Sequence, residues 1–82
     1  MNNYYLIVFK NTHDAIESEK ILKNEGIKVT IMPTPTYITQ SCGISIRFSQ
    51  EFYKEIKDII DKEGINIKNL YHKTENDFEQ II

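Results

Sequence analysis

Tryptophan is absent from this 82-residue chain, and there are only one cysteine, two prolines and three glycines. A lone cysteine closes no disulfide within the chain, so the fold must rest on a packed core, and Cys42 is a free thiol of the kind found in a reducing cytoplasm. Clustered positive charge is missing too. Ten Lys and Arg are scattered among twelve Asp and Glu, for a net charge of -2. Nucleic-acid binding wants a basic stripe with aromatic stacking platforms, and none is visible along the sequence. The run YYLIVF near the N-terminus is bounded by Asn3 and Lys10, far too short for a membrane span or a signal segment. These absences leave a soluble, cytoplasmic protein with no nucleic-acid or membrane partner.

What is present is ordinary globular material, 40% hydrophobic and 27% charged. A chain of this length forms one domain and buries roughly 60 to 65% of its unfolded surface, which disfavours a large enclosed active site. Tyr4 to Lys10 is aromatic and β-branched and too short for a helix, so it reads as a central strand apolar on both faces. Thr12 reads as an N-cap with Asp14 in the first turn. Ala15, Ser18, Ile21 and Leu22 then form an apolar helical stripe that ends at Gly26. Ile27 to Met32 alternates as a second strand, stopped by Pro33.

After a loop from Pro33 to Gly43, ISIRFS places Ile44, Ile46 and Phe48 on one strand face and Ser45 and Arg47 on the other. Ser49 reads as the cap of a second helix, with Phe52, Ile56, Ile59 and Ile60 at helical spacing and Gly64 at its end. INIKNLY is the fourth strand. Glu-Gly-Ile follows each helix, at residues 25 to 27 and 63 to 65, so the two halves echo one another. A βαβ unit repeated is the pattern of a ferredoxin-like βαββαβ sandwich, an α+β fold with two helices on one face of a four-stranded antiparallel sheet. Right-handed crossovers give the strand order 4-1-3-2. The domain spans residues 1–73. In the tail, 74–82, Thr74 and Asp77 suggest the start of a short helix carrying Phe78, Ile81 and Ile82, which would cover a sheet edge or touch another subunit.

That topology gathers several chemically useful residues at one edge. The end of strand one, Lys10 to Thr12, lies beside the start of strand three, Cys42 to Ile44, and helix one starts at the same edge. A thiolate there would be stabilised by Lys10 and by the free amides of His13 and Asp14, against the opposing carboxylate of Asp14. Gly43 leaves the backbone open to close approach and is a candidate for an unusual dihedral. Parity offers a second reading: Cys42 falls in phase with Ile44 and Ile46 and would then be a small, inert core residue. His13, His72 and Cys42 do not make a metal site, because strand four carries His72 to the opposite end and no CxxC is present. Tyr37 and Arg47 are candidate partner contacts. No cofactor is called for.

YYLIVFKNTHDAIESEKILKNEGI, then IMPTP, then SCGISIRF, in this order, resemble the selenium/sulfur carrier-like family of small bacterial proteins. The similarity covers roughly residues 4 to 72, and its most specific elements are THDA, Pro-x-Pro and Ser-Cys-Gly. The resemblance implies that Cys42, flanked by Ser41 and Gly43, holds sulfur or selenium as a persulfide or selenopersulfide passed between a donor and an acceptor protein. On that reading the protein is a carrier and not an enzyme, with Lys10, Thr12 and His13 supporting the thiol. The competing expectation is a ferredoxin-like interaction or regulatory module that dimerises, with an incidental buried thiol. A small thiol enzyme pairing Cys42 with His13 would need a substrate pocket.

Overall fold

The computed structural model describes residues 3–34 and 43–82. Strand β1 (Tyr4–Val8) leads into helix α1 (Thr12–Asn24), then β2 (Thr30–Pro33) and β3 (Ile44–Phe48). A single 3-10 turn (Gln50–Phe52) opens helix α2 (Tyr53–Glu63), and β4 (Asn69–Lys73) and β5 (Phe78–Gln80) complete the chain. The sheet is antiparallel throughout, in the order β2-β3-β1-β4-β5. The first four strands stand in the expected relative order. The sheet has five strands and not four, because the tail forms β5 instead of a helix. Thr74 and Asp77, which looked like a helix start, close a tight turn: the Thr74 N–H donates to the Asp77 carbonyl at 2.8 Å, and the Asp77 carboxylate accepts from the Phe78 N–H at 2.9 Å. Phe78 then pairs with Lys73, and the edge of β4 is covered.

Strand β1 is apolar on both faces and buried on both, Leu6 and Val8 no less than Ile7 and Phe9. Its Tyr5, Ile7 and Phe9 point to the helices and join Ala15 and Leu22 of α1, Ile56 of α2, Ile46, Phe48 and Leu70 in one core cluster. Ala15, Ser18 and Leu22 are the buried stripe of α1, as the spacing predicts, with Ile21 only half-buried. Helix α2 buries one residue fully, Ile56, while Phe52, Ile59 and Ile60 lie against the cluster margin. Partners across an antiparallel pair point to the same side. The register therefore assigns Tyr4, Leu6 and Val8, with Thr30, Met32, Ser45, Arg47, Asn69, Tyr71, Lys73, Phe78 and Gln80, to the face away from the helices.

Local chemistry explains the element ends and corrects two of the expected caps. Asn11, not Thr12, caps α1: its side-chain oxygen accepts from the Asp14 N–H at 2.8 Å. Ser49 makes no side-chain cap bond; its hydroxyl donates to Glu51 Oε1, and the 3-10 turn precedes the helix. Helix α1 ends in a Schellman motif, with Gly26 N–H on the Lys23 carbonyl and Ile27 N–H on the Leu22 carbonyl at 3.1 Å. Gly26 and Gly64 adopt φ of 78° and 67°, the left-handed conformation glycine allows, so each Glu-Gly-Ile is a helix stop. Strand β2 begins at Thr30, three residues later than the alternation suggests, although Ile27 and Val29 are buried as the alternation requires.

Candidate functional site

Cys42, Ser41 and Tyr37 lie outside the described residues; the chain is described again from Gly43. At that point it is paired: the Thr34 N–H donates to the Gly43 carbonyl at 3.1 Å, one step beyond the Pro33–Ile44 pair that ends the β2–β3 ladder. Thr34 and Gly43 thus hold the two ends of the segment between them at the width of a strand pair. The β1–β3 ladder ends at the Val8–Ser45 pair, two residues before Lys10 and two after Gly43, so both lie at the same end of the sheet. Helix α1 starts from this same edge. The described candidates Lys10, Thr12, His13 and Gly43 are all exposed.

The electrostatics of the edge differ in detail from the expectation. The Asp14 amide is taken by Asn11, and the Ala15 amide by the Asn11 carbonyl at 3.4 Å. The amides of Thr12 and His13 have no acceptor among the described residues and stand at the positive end of the helix. Gly43 is not held by an unusual dihedral: among the described residues only Gly26 and Gly64 have positive φ, and a Cβ added at Gly43 would meet nothing within 4 Å. The buried Thr34 Oγ1 has no hydrogen-bond partner among the described residues. Asn11 and Thr34 were not singled out in the sequence. Asn11 was legible, since asparagine is as good an N-cap as threonine, whereas the burial of Thr34 has no local signal.

His72 lies at the far end of the sheet, opposite Tyr5, as the topology requires. Among the described residues no group of three His, Cys, Asp or Glu could hold a metal ion. His72 instead stacks on the Tyr5 ring at 4.5 Å between centroids and hydrogen-bonds Asn3. Tyr5 also meets Phe48 and Tyr53. Burial, then the neighbouring Tyr53 and Glu79, raise its phenol above the usual value of 10.0.

Arg47 is exposed on the face away from the helices, with its guanidinium 4.4 Å from the centre of the Tyr4 ring. Beside it, at the end of the sheet remote from Gly43, is an open cleft of about 660 Å³ walled by Tyr4, Lys28, Thr30, Arg47, Ser49, Glu51 and Phe52. The sequence placed no pocket there, because its walls come from three strands and the turn before α2.

Among the described residues no helix is long and apolar enough to cross a membrane. No curated protein and no solved structure matches the chain. A family model described as putative Se/S carrier protein-like does match, over residues 4–72, from the first residue of β1 into β4. With that match spanning both helices and four of the five strands, the chain belongs to the putative Se/S carrier protein-like family.

Proposed function

We propose that the protein is a noncatalytic carrier in which Cys42 accepts a sulfane sulfur or selenium atom from a donor protein and delivers it to an acceptor. The observation that carries the reading is at the residue after Cys42: Gly43 is exposed, tied to Thr34, and at the same end of the sheet as Lys10 and the start of α1. Protein-to-protein transfer needs an accessible thiolate at an edge and no enclosed pocket. The ferredoxin-like βαββαβ arrangement accounts for that placement, with β5 as an addition.

The exchange is redox-neutral. The Cys42 thiolate attacks the terminal atom of a donor persulfide or selenopersulfide, a new S–S or S–Se bond forms at Cys42, and the donor bond breaks to release the donor thiolate. The acceptor thiolate repeats the step on the loaded carrier and regenerates the Cys42 thiolate. Lys10 and the Thr12 and His13 amides favour the anionic sulfur at both stages, and Asp14 opposes them. The backbone at Gly43, without a side chain, gives a partner room to approach. Ser41 stands on the other side of the thiol in the sequence.

The test is intact mass after incubation with a cysteine desulfurase and either cysteine or selenocysteine. The native protein gains one sulfur or one selenium atom, the gain is reversed by a thiol reductant, and Cys42→Ser gains nothing. An unmodified native protein, or an equal gain on Cys42→Ser, removes the proposal. Cytoplasmic residence fits a chemistry that requires reduced thiols.

A further inference from the structure

All twelve acidic residues of the chain are described, and none occupies a strand position on the face away from the helices. They lie in α1 and its C-cap, in the turn before α2 and α2 itself, in the β4–β5 turn at Glu75 and Asp77, and at Glu79, which pairs with His72 and so faces the helix side. The opposite face carries Arg47 and Lys73. Acid is therefore kept off this face, while the ten Lys and Arg are spread over both layers, five of them on the helices.

The same face carries a joined aromatic group. Phe78 meets Tyr4 and Tyr71 edge-on, at 6.5 and 6.3 Å between centroids, while Arg47 lies over Tyr4 and Lys73 lies 5.3 Å from the centre of Phe78. Arg47 makes no ion pair among the described residues. Tyrosine, phenylalanine and arginine are the residue types that anchor protein interfaces. The cleft beside Arg47 offers a socket at the margin of the patch, and its one acidic wall residue, Glu51, accepts a hydrogen bond from Ser49.

From these observations we infer that the helix-free face around Tyr4, Arg47, Tyr71, Lys73 and Phe78 docks an acidic segment of a partner protein, with a partner carboxylate on Arg47 and a neighbouring side chain in the cleft. Charge and geometry exclude the other occupants. A two-fold dimer through this face would bring four cations, Arg47 and Lys73 of each copy, into one interface with no strand carboxylate to offset them. A single-stranded nucleic acid needs flat ring faces for its bases, and here the Tyr4 and Phe78 rings are taken by cations and edge contacts, with only two strand cations for the phosphates. The inference concerns the face and not the thiol, so it stands or falls separately from the carrier reading.

The experiment is a titration of isotope-labelled protein with three probes, a glutamate-rich peptide with two central leucines, its glutamine analogue, and an oligothymidylate of similar length, followed by amide chemical shifts. The glutamate peptide should give saturable, salt-sensitive shifts centred on Tyr4, Arg47, Tyr71, Lys73 and Phe78. Arg47→Glu and Lys73→Glu, each checked by circular dichroism for an intact fold, should weaken binding by about tenfold or more. Lys57→Glu on α2 should leave it unchanged. Shifts centred on another surface, no saturable shift, equal binding of the glutamine analogue, or tighter binding of the oligothymidylate would each overturn the inference.

Discussion

The backbone N–H of Thr34 reaches the carbonyl of Gly43 at 3.1 Å, so the residue that follows Cys42 is tied to the residue that follows Pro33. The Thr34 side chain is buried by the same arrangement, and its hydroxyl has no partner among the described residues. A buried, unpaired hydroxyl costs about 1–3 kcal/mol relative to a satisfied one. Thr34→Val keeps the shape and the backbone hydrogen bond while removing the hydroxyl. It should raise stability by about 1 kcal/mol in chemical denaturation; a loss of that size would mean that the hydroxyl is hydrogen-bonded in solution.

The helices depend unequally on single residues. Ile56 is the one fully buried residue of α2, whereas Ile16 of α1 is 43% exposed. Ile56→Ala should cost about 2–4 kcal/mol through lost burial and an unfilled cavity, and Ile16→Ala should stay within about 0.5 kcal/mol. Equal effects in urea unfolding would contradict the packing of α2 on the sheet.

The three glycines make two different demands. Gly26 and Gly64 sit at positive φ, where a side chain costs roughly 1–2 kcal/mol. Gly43 does not, and space around its Cα is open. Gly26→Ala and Gly64→Ala should therefore each lower the unfolding midpoint clearly, and Gly43→Ala should leave it nearly unchanged. The two costly positions are the two Glu-Gly-Ile repeats, which is why the internal echo was readable without any knowledge of the fold.

Much of the architecture was legible for the same kind of reason. Ile44, Ile46 and Phe48 alternate because one face of β3 is buried, and Ala15, Ser18 and Leu22 recur at helical spacing because one side of α1 is. Strand β5 was not legible. It is three residues long, and the side chains of Thr74 and Asp77 bond local backbone equally well in a turn or a helix start. The aromatic and basic patch was invisible for another reason. Tyr4, Arg47, Tyr71 and Phe78 are far apart in sequence, and only the strand register joins them. Charge read along the chain averages over two faces that differ.

Tyr5 gives a pH dependence with a defined sign. Its folded-state phenol titrates above the unfolded value of 10.0, so the folded protein holds its proton more tightly. The associated stability is complete below about pH 10 and is lost as pH rises from there through the folded-state value. Phenolate absorbance should show a late ionisation that is missing from Tyr5→Phe. Tyr5→Phe should be less sensitive to alkali between those values, and an identical alkaline decline in both proteins would refute the assignment.

The edge next to Cys42 makes the last prediction. If the thiolate is supported by Lys10, which lies at the same end of the sheet as Gly43, reversing that charge should disfavour the anion. Lys10→Glu should shift the pH midpoint of Cys42 alkylation upward and slow labelling near neutral pH. Lys23→Glu, in the last turn of α1 at the far end of the helix, should change neither. Asn11→Ala separates helix stability from local charge. It removes the α1 cap at a cost of about 1 kcal/mol and frees the Asp14 amide, adding a donor at the positive end of the helix. Alkylation that is slow at every pH in all four proteins would instead mean that Cys42 packs inward with Ile44 and Ile46. Fast labelling with a midpoint that rises in Lys10→Glu, does not rise in Asn11→Ala and stays in place in Lys23→Glu would show that the edge, and not the core, governs the thiol.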